Sequence, residues 1–225
     1  MGMDPALAAE PLVAPFLRES SGVFLQATSL VFLSEIGDKT FFIASLLAAR
    51  ASRVLAFAGA FGALVLMTVA SVVIGQIFHS VPESLTRGIP IDDYVAVLSF
   101  TYFGVKSLMA AFTSDGDGLA DELESAEEEL KNAKEQQGFG VVAEAFALTV
   151  AAEIGDRSQI TTIALSAAQN PYVVTLGACL GHGLATGIAV LGGAFISKFV
   201  SEKQISLIAG LLFLLFAATT LVALF

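Results

Sequence analysis

Glu35-Ile36-Gly37-Asp38-Lys39-Thr40 reads EIGDKT, and Glu153-Ile154-Gly155-Asp156-Arg157-Ser158 reads EIGDRS. Each copy of the phrase lies inside an apolar segment long enough to cross a bilayer, which takes about 20 residues. Each copy therefore places two acids and one base at membrane depth. A charge at a helix centre costs roughly 2.5–3.5 kcal/mol even on lenient insertion scales. Six of them cost on the order of 15–20 kcal/mol, comparable to the net stability of a whole domain. A penalty of that size, incurred twice, points to a use.

The 225 residues are 56% hydrophobic and only 14% charged, against about a quarter charged in a soluble domain. The expectation is an integral membrane protein. The net charge of −10 comes largely from the stretch between Asp115 and Glu135, which argues against nucleic acid as a partner, since that needs a basic face. The single Cys179 lies in an apolar run, so there is neither a disulfide framework nor a thiolate metal site.

Six spans are expected: about 23–49, 54–78, 94–112, 139–168, 172–199 and 205 to the end. Residues 1–22 read as a loose tail. Residues 113–138 form an acidic connection whose core, ADELESAEEELKNAKEQ, is taken as polar all round, a solvated helix or a disordered linker. Ser80 to Pro90 reads as a polar loop, with Pro82, Arg87 and Gly88, and Asp92 and Asp93 as capping acids after it.

A shift of 118 residues superimposes the two phrases and also Ala27 on Ala145, Leu30 on Leu148, Leu47 on Leu165, Gly59 on Gly177, Ala60 on Ala178 and Gly75 on Gly193. Two consecutive three-span units, 23–112 and 139–225, enter the membrane from opposite sides. The fold class expected is therefore all-α: six transmembrane helices as two inverted three-helix repeats, with motif helices one and four crossing at the midplane. That is an architecture common among secondary transporters. Arg50, Arg53, Lys131, Lys134, Lys198 and Lys203 gather on one side, with Lys106 near it, against Arg18 and Arg87 on the other. The positive-inside rule then puts the acidic connection on the cytosolic or stromal side and both termini opposite.

In a continuous helix Glu35 and Asp38 share a face, as do Glu153 and Asp156. Lys39 and Arg157 sit four residues after each Glu, within reach of an ion pair. Gly37 and Gly155 allow either close helix approach or a local break that frees carbonyls. Thr40 and Ser158 add hydroxyls. Four converging carboxylates make a hard oxygen site suited to Mg²⁺, Ca²⁺ or Mn²⁺. Four acids less two bases leave a charge of −2, which one divalent cation or protons neutralise; crowded carboxylates in low dielectric hold protons more tightly. Lys39 and Arg157 are read as charge-balancing or gating groups. Glu144, and Gln26 at the equivalent position, are read as access or gating groups, with snorkelling to the interface as the plainer alternative. His182, between Gly181 and Gly183, reads as a hydrogen-bonded interior imidazole before a ligand or proton relay. His79 reads as interfacial.

These motifs resemble the twin E-x-G-D-[KR]-[ST] signatures of the Gdt-type cation/proton exchangers, a family of manganese and calcium transporters of Golgi, chloroplast and bacterial membranes. The resemblance covers nearly the whole chain from Val23. It implies that Glu35, Asp38, Glu153 and Asp156 bind the metal, with Thr40, Ser158 and Gln159 close by. It implies Mn²⁺ or Ca²⁺ as transported substrate exchanged for protons, with no permanently bound cofactor and no enzymatic activity. GDKTFFIASLLAAR, PIDDYVAV and GHGLAT look most like the chloroplast and cyanobacterial branch, which favours a thylakoid, envelope or cyanobacterial membrane over Golgi or bacterial plasma membrane. The second motif has Ile154 where many members have Trp, read as a packing variation. The expected partners are divalent cations, protons and the lipid bilayer, with a homo-oligomer left open. Competing functions are a passive divalent cation channel, an intramembrane aspartyl protease using Asp38 and Asp156, and a small amino acid exporter. Neither of the last two requires four clustered acids.

Overall fold

The structure, a computed structural model, describes residues 5–81, 89–113, 118–132, 136–196 and 201–225, with residues 5–19, 132 and 193–196 described in backbone only. The loop residues Pro82, Arg87 and Gly88, together with Asp115, Lys134 and Lys198, lie outside the described residues.

Among the described residues the chain is entirely helical, with no strand. The helices are α1 (Pro5–Glu35), α2 (Lys39–Arg50), α3 (Arg53–His79), α4 (Ile91–Thr113), α5 (Gly118–Asn132), α6 (Phe139–Glu153), α7 (Arg157–Ala168), α8 (Pro171–Ile196) and α9 (Glu202–Ala223). Among the described residues, four stretches are long and apolar enough to cross a membrane: α3, α4, α8 as far as Gly192, and α9. Their outer faces carry exposed Leu66, Val73, Leu98, Met109, Leu184 and Leu215, a surface suited to lipid and unsuited to water.

The first and fourth expected spans are not continuous helices. Each is broken at its motif, into α1 and α2 and into α6 and α7. The break has a local cause. Gly37 and Gly155 take φ of +80° and +86°, a left-handed conformation that ends helices and that glycine adopts without the steric cost of a Cβ. Asp38 and Asp156 then turn extended, at φ −77° and −70°, and become the N-caps of α2 and α7. Asp is a preferred residue there because its carboxylate can accept from the helix's first amides. The tail expected over 1–22 also differs: α1 begins at Pro5, where proline's fixed φ suits a first turn.

Other boundaries have similar local causes. Asp92 and Asp93 sit in the first turn of α4, and Asp92 Oδ2 lies within hydrogen-bond distance of His79 Nδ1, at 2.7 Å. The Asn170 side chain accepts from the amides of Tyr172 and Val173 at 3.1 and 3.3 Å, opening α8. Gly192 marks a kink in α8 at φ 163°, ψ 35°.

Related positions of the two sequence copies make related contacts. A Cβ added at Gly177 of α8 would lie 2.7 Å from the Phe24 carbonyl and 2.9 Å from Ala27 Cβ of α1. A Cβ at Gly59 of α3 would strike the Val142 carbonyl and Ala145 of α6, and Phe24 and Ala27 fall on Val142 and Ala145 at the 118-residue shift. α1 packs on α8 and α6 on α3; α2 packs on α8 and α7 on α3. Two apolar clusters flank the motifs, one around Phe41, Phe42 and Leu47, the other around Phe100, Phe103 and Phe213.

Helix α5 departs from the polar-all-round reading. Leu119, Leu123, Ala126 and Leu130 recur at helical spacing. Ala126 and Leu130 are buried, and all four join the cluster around Phe41 and Phe42. Lys39 pairs with Glu129, and the Gly118 amide donates to Glu202 Oε2 at 2.9 Å. The acidic segment is thus a helix laid across α2 and reaching the start of α9.

Candidate functional site

Both breaks bring a helix end and a helix start to the same place. Glu35 is the last residue of α1 and Glu153 the last of α6, and they are 2% and 1% exposed. Each is held by the hydroxyl five residues on. Thr40 Oγ1 donates to Glu35 Oε2 at 3.3 Å, and Ser158 Oγ donates to Glu153 Oε2 at 3.1 Å. The second oxygen of each, Oε1, is buried with no hydrogen-bond partner among the described residues. An unsatisfied buried acceptor costs about 1–3 kcal/mol, more when charged, so two such oxygens in one place point to something they are built to hold. One oxygen from each of Glu35, Glu153 and Asp156 can be chosen so that all lie within 4.8 Å of one another. That is the spacing of donors around one cation.

The fourth acid is placed differently. Asp156 Oδ2 accepts from the Ser158 amide at 2.9 Å and so caps α7. Asp38 makes no side-chain cap to α2; its Oδ1 lies 3.9 Å from Arg157 Nη2. Arg157 also donates to the Ser34 carbonyl at 3.4 Å, so the base of the second motif reaches across to the first. Lys39 turns the other way, to Glu129 of α5. A continuous helix would put each base within reach of the Glu four residues before it; that ion pair does not form, because the left-handed glycine re-aims everything after it.

Asp38, Asp156 and Arg157 line a cavity of about 480 Å³, with Lys106 of α4, Glu122 of α5 and Glu202 of α9 among its walls. At that mouth, burial holds the Glu122 carboxyl above its ordinary pKa, opposed by Arg157 and Lys39. Glu35 and Thr40 lie deeper, facing a void of about 10 Å³ shared with Leu64, Thr149 and Thr186, near the limit for one water.

Three further predicted residues have surroundings of their own. Gln159 Oε1 is committed to the Gly155 amide at 2.7 Å. Glu144 lines a separate cavity of about 140 Å³ with Arg50, Gln136 and Gln137. Gln26 is half-buried on α1, more than two turns before Glu35. Ile154, at the variant motif position, is 71% exposed and forms no wall of the centre.

His182 is the residue whose proximity sequence reasoning missed. It is 3% exposed, and its Nδ1 lies 3.5 Å from Glu35 Oε1. Nδ1 has no hydrogen-bond partner among the described residues, so it is not the satisfied interior imidazole expected. The available signal was an imidazole flanked by two glycines in an otherwise apolar run.

The family model described as divalent cation/proton antiporter GDT1 matches residues 23–115 and 141–225. The chain is 46% identical over 240 residues to Protein PAM71, chloroplastic, of Arabidopsis thaliana, covering 98% of this chain and 64% of that one. It is 45% identical over 227 residues to GDT1-like protein 2, chloroplastic, of Oryza sativa subsp. japonica, covering 96% and 65%. It is 44% identical over 202 residues to GDT1-like protein sll0615 of Synechocystis sp., covering 88% and 95%. The chain thus spans just under two thirds of the two plant relatives. No solved structure matches it. By the extent of the family match and by these identities, the chain belongs to the GDT1 family of divalent cation/proton antiporters.

Proposed function

We propose that the chain is a secondary transporter that moves Mn²⁺, Ca²⁺ or both across a membrane in exchange for protons, with Glu35, Asp38, Glu153 and Asp156 as the shared cation and proton site. The observation that carries this reading is the triad of Glu35, Glu153 and Asp156 oxygens within 4.8 Å, two of its members holding a buried, unpartnered Oε1. With Lys39 paired to Glu129, the four ionised carboxylates face one base, Arg157. One divalent cation offsets most of that charge. When it leaves, like charges in a dry site draw protons instead, and the same oxygens serve both cargoes in turn. Thr40 and Ser158 orient the carboxylates, and Arg157 holds Asp38 at the rim.

In this reading six segments cross the bilayer as two inverted three-segment repeats, 23–112 and 139–225, preceded by 1–22 and joined by 113–138. The broken pairs α1–α2 and α6–α7 are the first and fourth crossings, meeting near the midplane. Support comes from the matched motif breaks and from the equivalent glycine contacts of Gly59 and Gly177. Discontinuous crossings of this kind put helix ends and freed carbonyls at ion sites. The α5 side faces cytosol or stroma, the termini face the opposite compartment, and the membrane is of chloroplast or cyanobacterial type. A cavity of about 480 Å³ at Asp38 and Asp156, against a separate void of only about 10 Å³ at Glu35, favours a carrier over an open pore.

The test is uptake into proteoliposomes with an imposed proton gradient. Wild-type protein should accelerate Mn²⁺ or Ca²⁺ entry, and Glu153→Gln should abolish the acceleration. Uptake no faster than into protein-free vesicles would refute the reading.

A further inference from the structure

The oxygen donors of the motifs leave one neighbouring group unexplained. His182 lies on α8, outside both motifs, and is buried beside Glu35 with a 3.5 Å separation between its Nδ1 and Glu35 Oε1. Neither atom has a hydrogen-bond partner among the described residues. The backbone fixes this approach. A Cβ at Gly181 would sit 2.7 Å from the Thr28 carbonyl and 3.0 Å from the Phe32 amide nitrogen, so α8 lies against α1 at the residue preceding His182. The imidazole is therefore carried towards the end of α1, where Glu35 sits. A first-row dication with bonds of about 2.1 Å holds neighbouring donors roughly 3.0–3.4 Å apart, close to the separation found. The 118-residue shift puts Leu64 at the equivalent place in the first half, so the centre has this imidazole from one side only.

We propose that His182 Nδ1 is a nitrogen ligand of the transported cation, and that it makes the centre select a first-row transition-metal dication such as Mn²⁺ over Ca²⁺. Carboxylates and hydroxyls alone accept either ion. An imidazole nitrogen suits the later first-row dications best and Mn²⁺ less strongly, but Ca²⁺, a hard cation that takes oxygen donors, gains least from it. The inference rests on the transporter reading above and adds the origin of its selectivity.

The direct test is pulsed electron paramagnetic resonance on the full chain in detergent, loaded with Mn²⁺ alone. Wild-type protein should show ¹⁴N modulation that moves to the ¹⁵N frequency when only histidine is ¹⁵N-labelled. His79, the other histidine, is covered by a His79→Gln control that keeps the signal. His182→Gln should lose it, and in proteoliposomes should shift the ratio of Mn²⁺ to Ca²⁺ KM about tenfold towards Ca²⁺, the low end of what altered metal surroundings cost. Bound Mn²⁺ with no histidine nitrogen coupling in the wild type would overturn the ligand assignment, whatever the variant does. An unchanged KM ratio in a transporting variant would overturn the selectivity claim. Wild-type protein that moves neither ion would sink the transporter reading itself, a result separable from both.

Discussion

The two motif copies agree in how they place their glutamates and differ in where they send their bases and aspartates. In both, a left-handed glycine breaks the helix, the Glu ends the incoming helix, and a hydroxyl five residues on holds one of its oxygens. Beyond that they diverge. Arg157 crosses to Asp38, while Lys39 leaves for Glu129. Asp156 caps its helix and joins the triad, while Asp38 does neither. α7 packs on α4, while its counterpart α2 packs on α5. What the two copies share is the placement of the glutamates, and what they do not share is the pairing of their bases and aspartates. In the carrier proposed above, that asymmetry falls on the groups around the centre rather than on its glutamates.

Breaking the shared part should have the largest effect. Glu35→Gln and Glu153→Gln should each lower proteoliposome uptake about a hundredfold, at the upper end of what lost metal-site groups cost. If one variant lost transport while the other kept more than half of it, the equivalence of the glutamates would be wrong. Arg157→Gln should be milder, about tenfold, and should act on cation KM, since Asp38 loses its ion-pair partner while the oxygens of the triad stay in place; an equal loss in Lys39→Gln would erase the distinction between the two bases. Gly59→Val and Gly177→Val test the matched helix contacts. Each forces a side chain into a facing backbone and should cost about 1–3 kcal/mol, read as comparable falls in detergent unfolding temperature. A large fall in one with none in the other would separate the halves. The smallest effect belongs to Lys39→Gln. Its pair with Glu129 is partly exposed, so about 0.2–1 kcal/mol of stability is at stake, and transport should stay within about threefold of wild type.

The shared part was also the legible part. A doubled six-residue phrase in register, with Glu, Asp and a hydroxyl at fixed places, can be read without coordinates because spacing alone links its members. The differences could not be read that way. A continuous helix puts Lys39 one turn from Glu35, and only the positive φ at Gly37 sends it elsewhere. In α5 the stripe of Leu119, Leu123, Ala126 and Leu130 was present in the sequence but diluted by acids, so overall polarity hid the periodicity. His182 lies twenty-nine residues after Glu153 in the chain, and only the seating of α8 on α1 brings it to Glu35. Contacts that depend on tertiary packing have no spacing signature.

Exchange of a cation for protons at one set of carboxylates requires that the two fluxes be coupled. The measurement is simultaneous recording of Mn²⁺ entry and luminal pH in proteoliposomes holding wild-type protein, with Glu153→Gln alongside. Cation entry should drive protons outward in wild type, and both fluxes should vanish together in the variant. Cation entry with no proton movement, or a proton flux that survives Glu153→Gln, would contradict it.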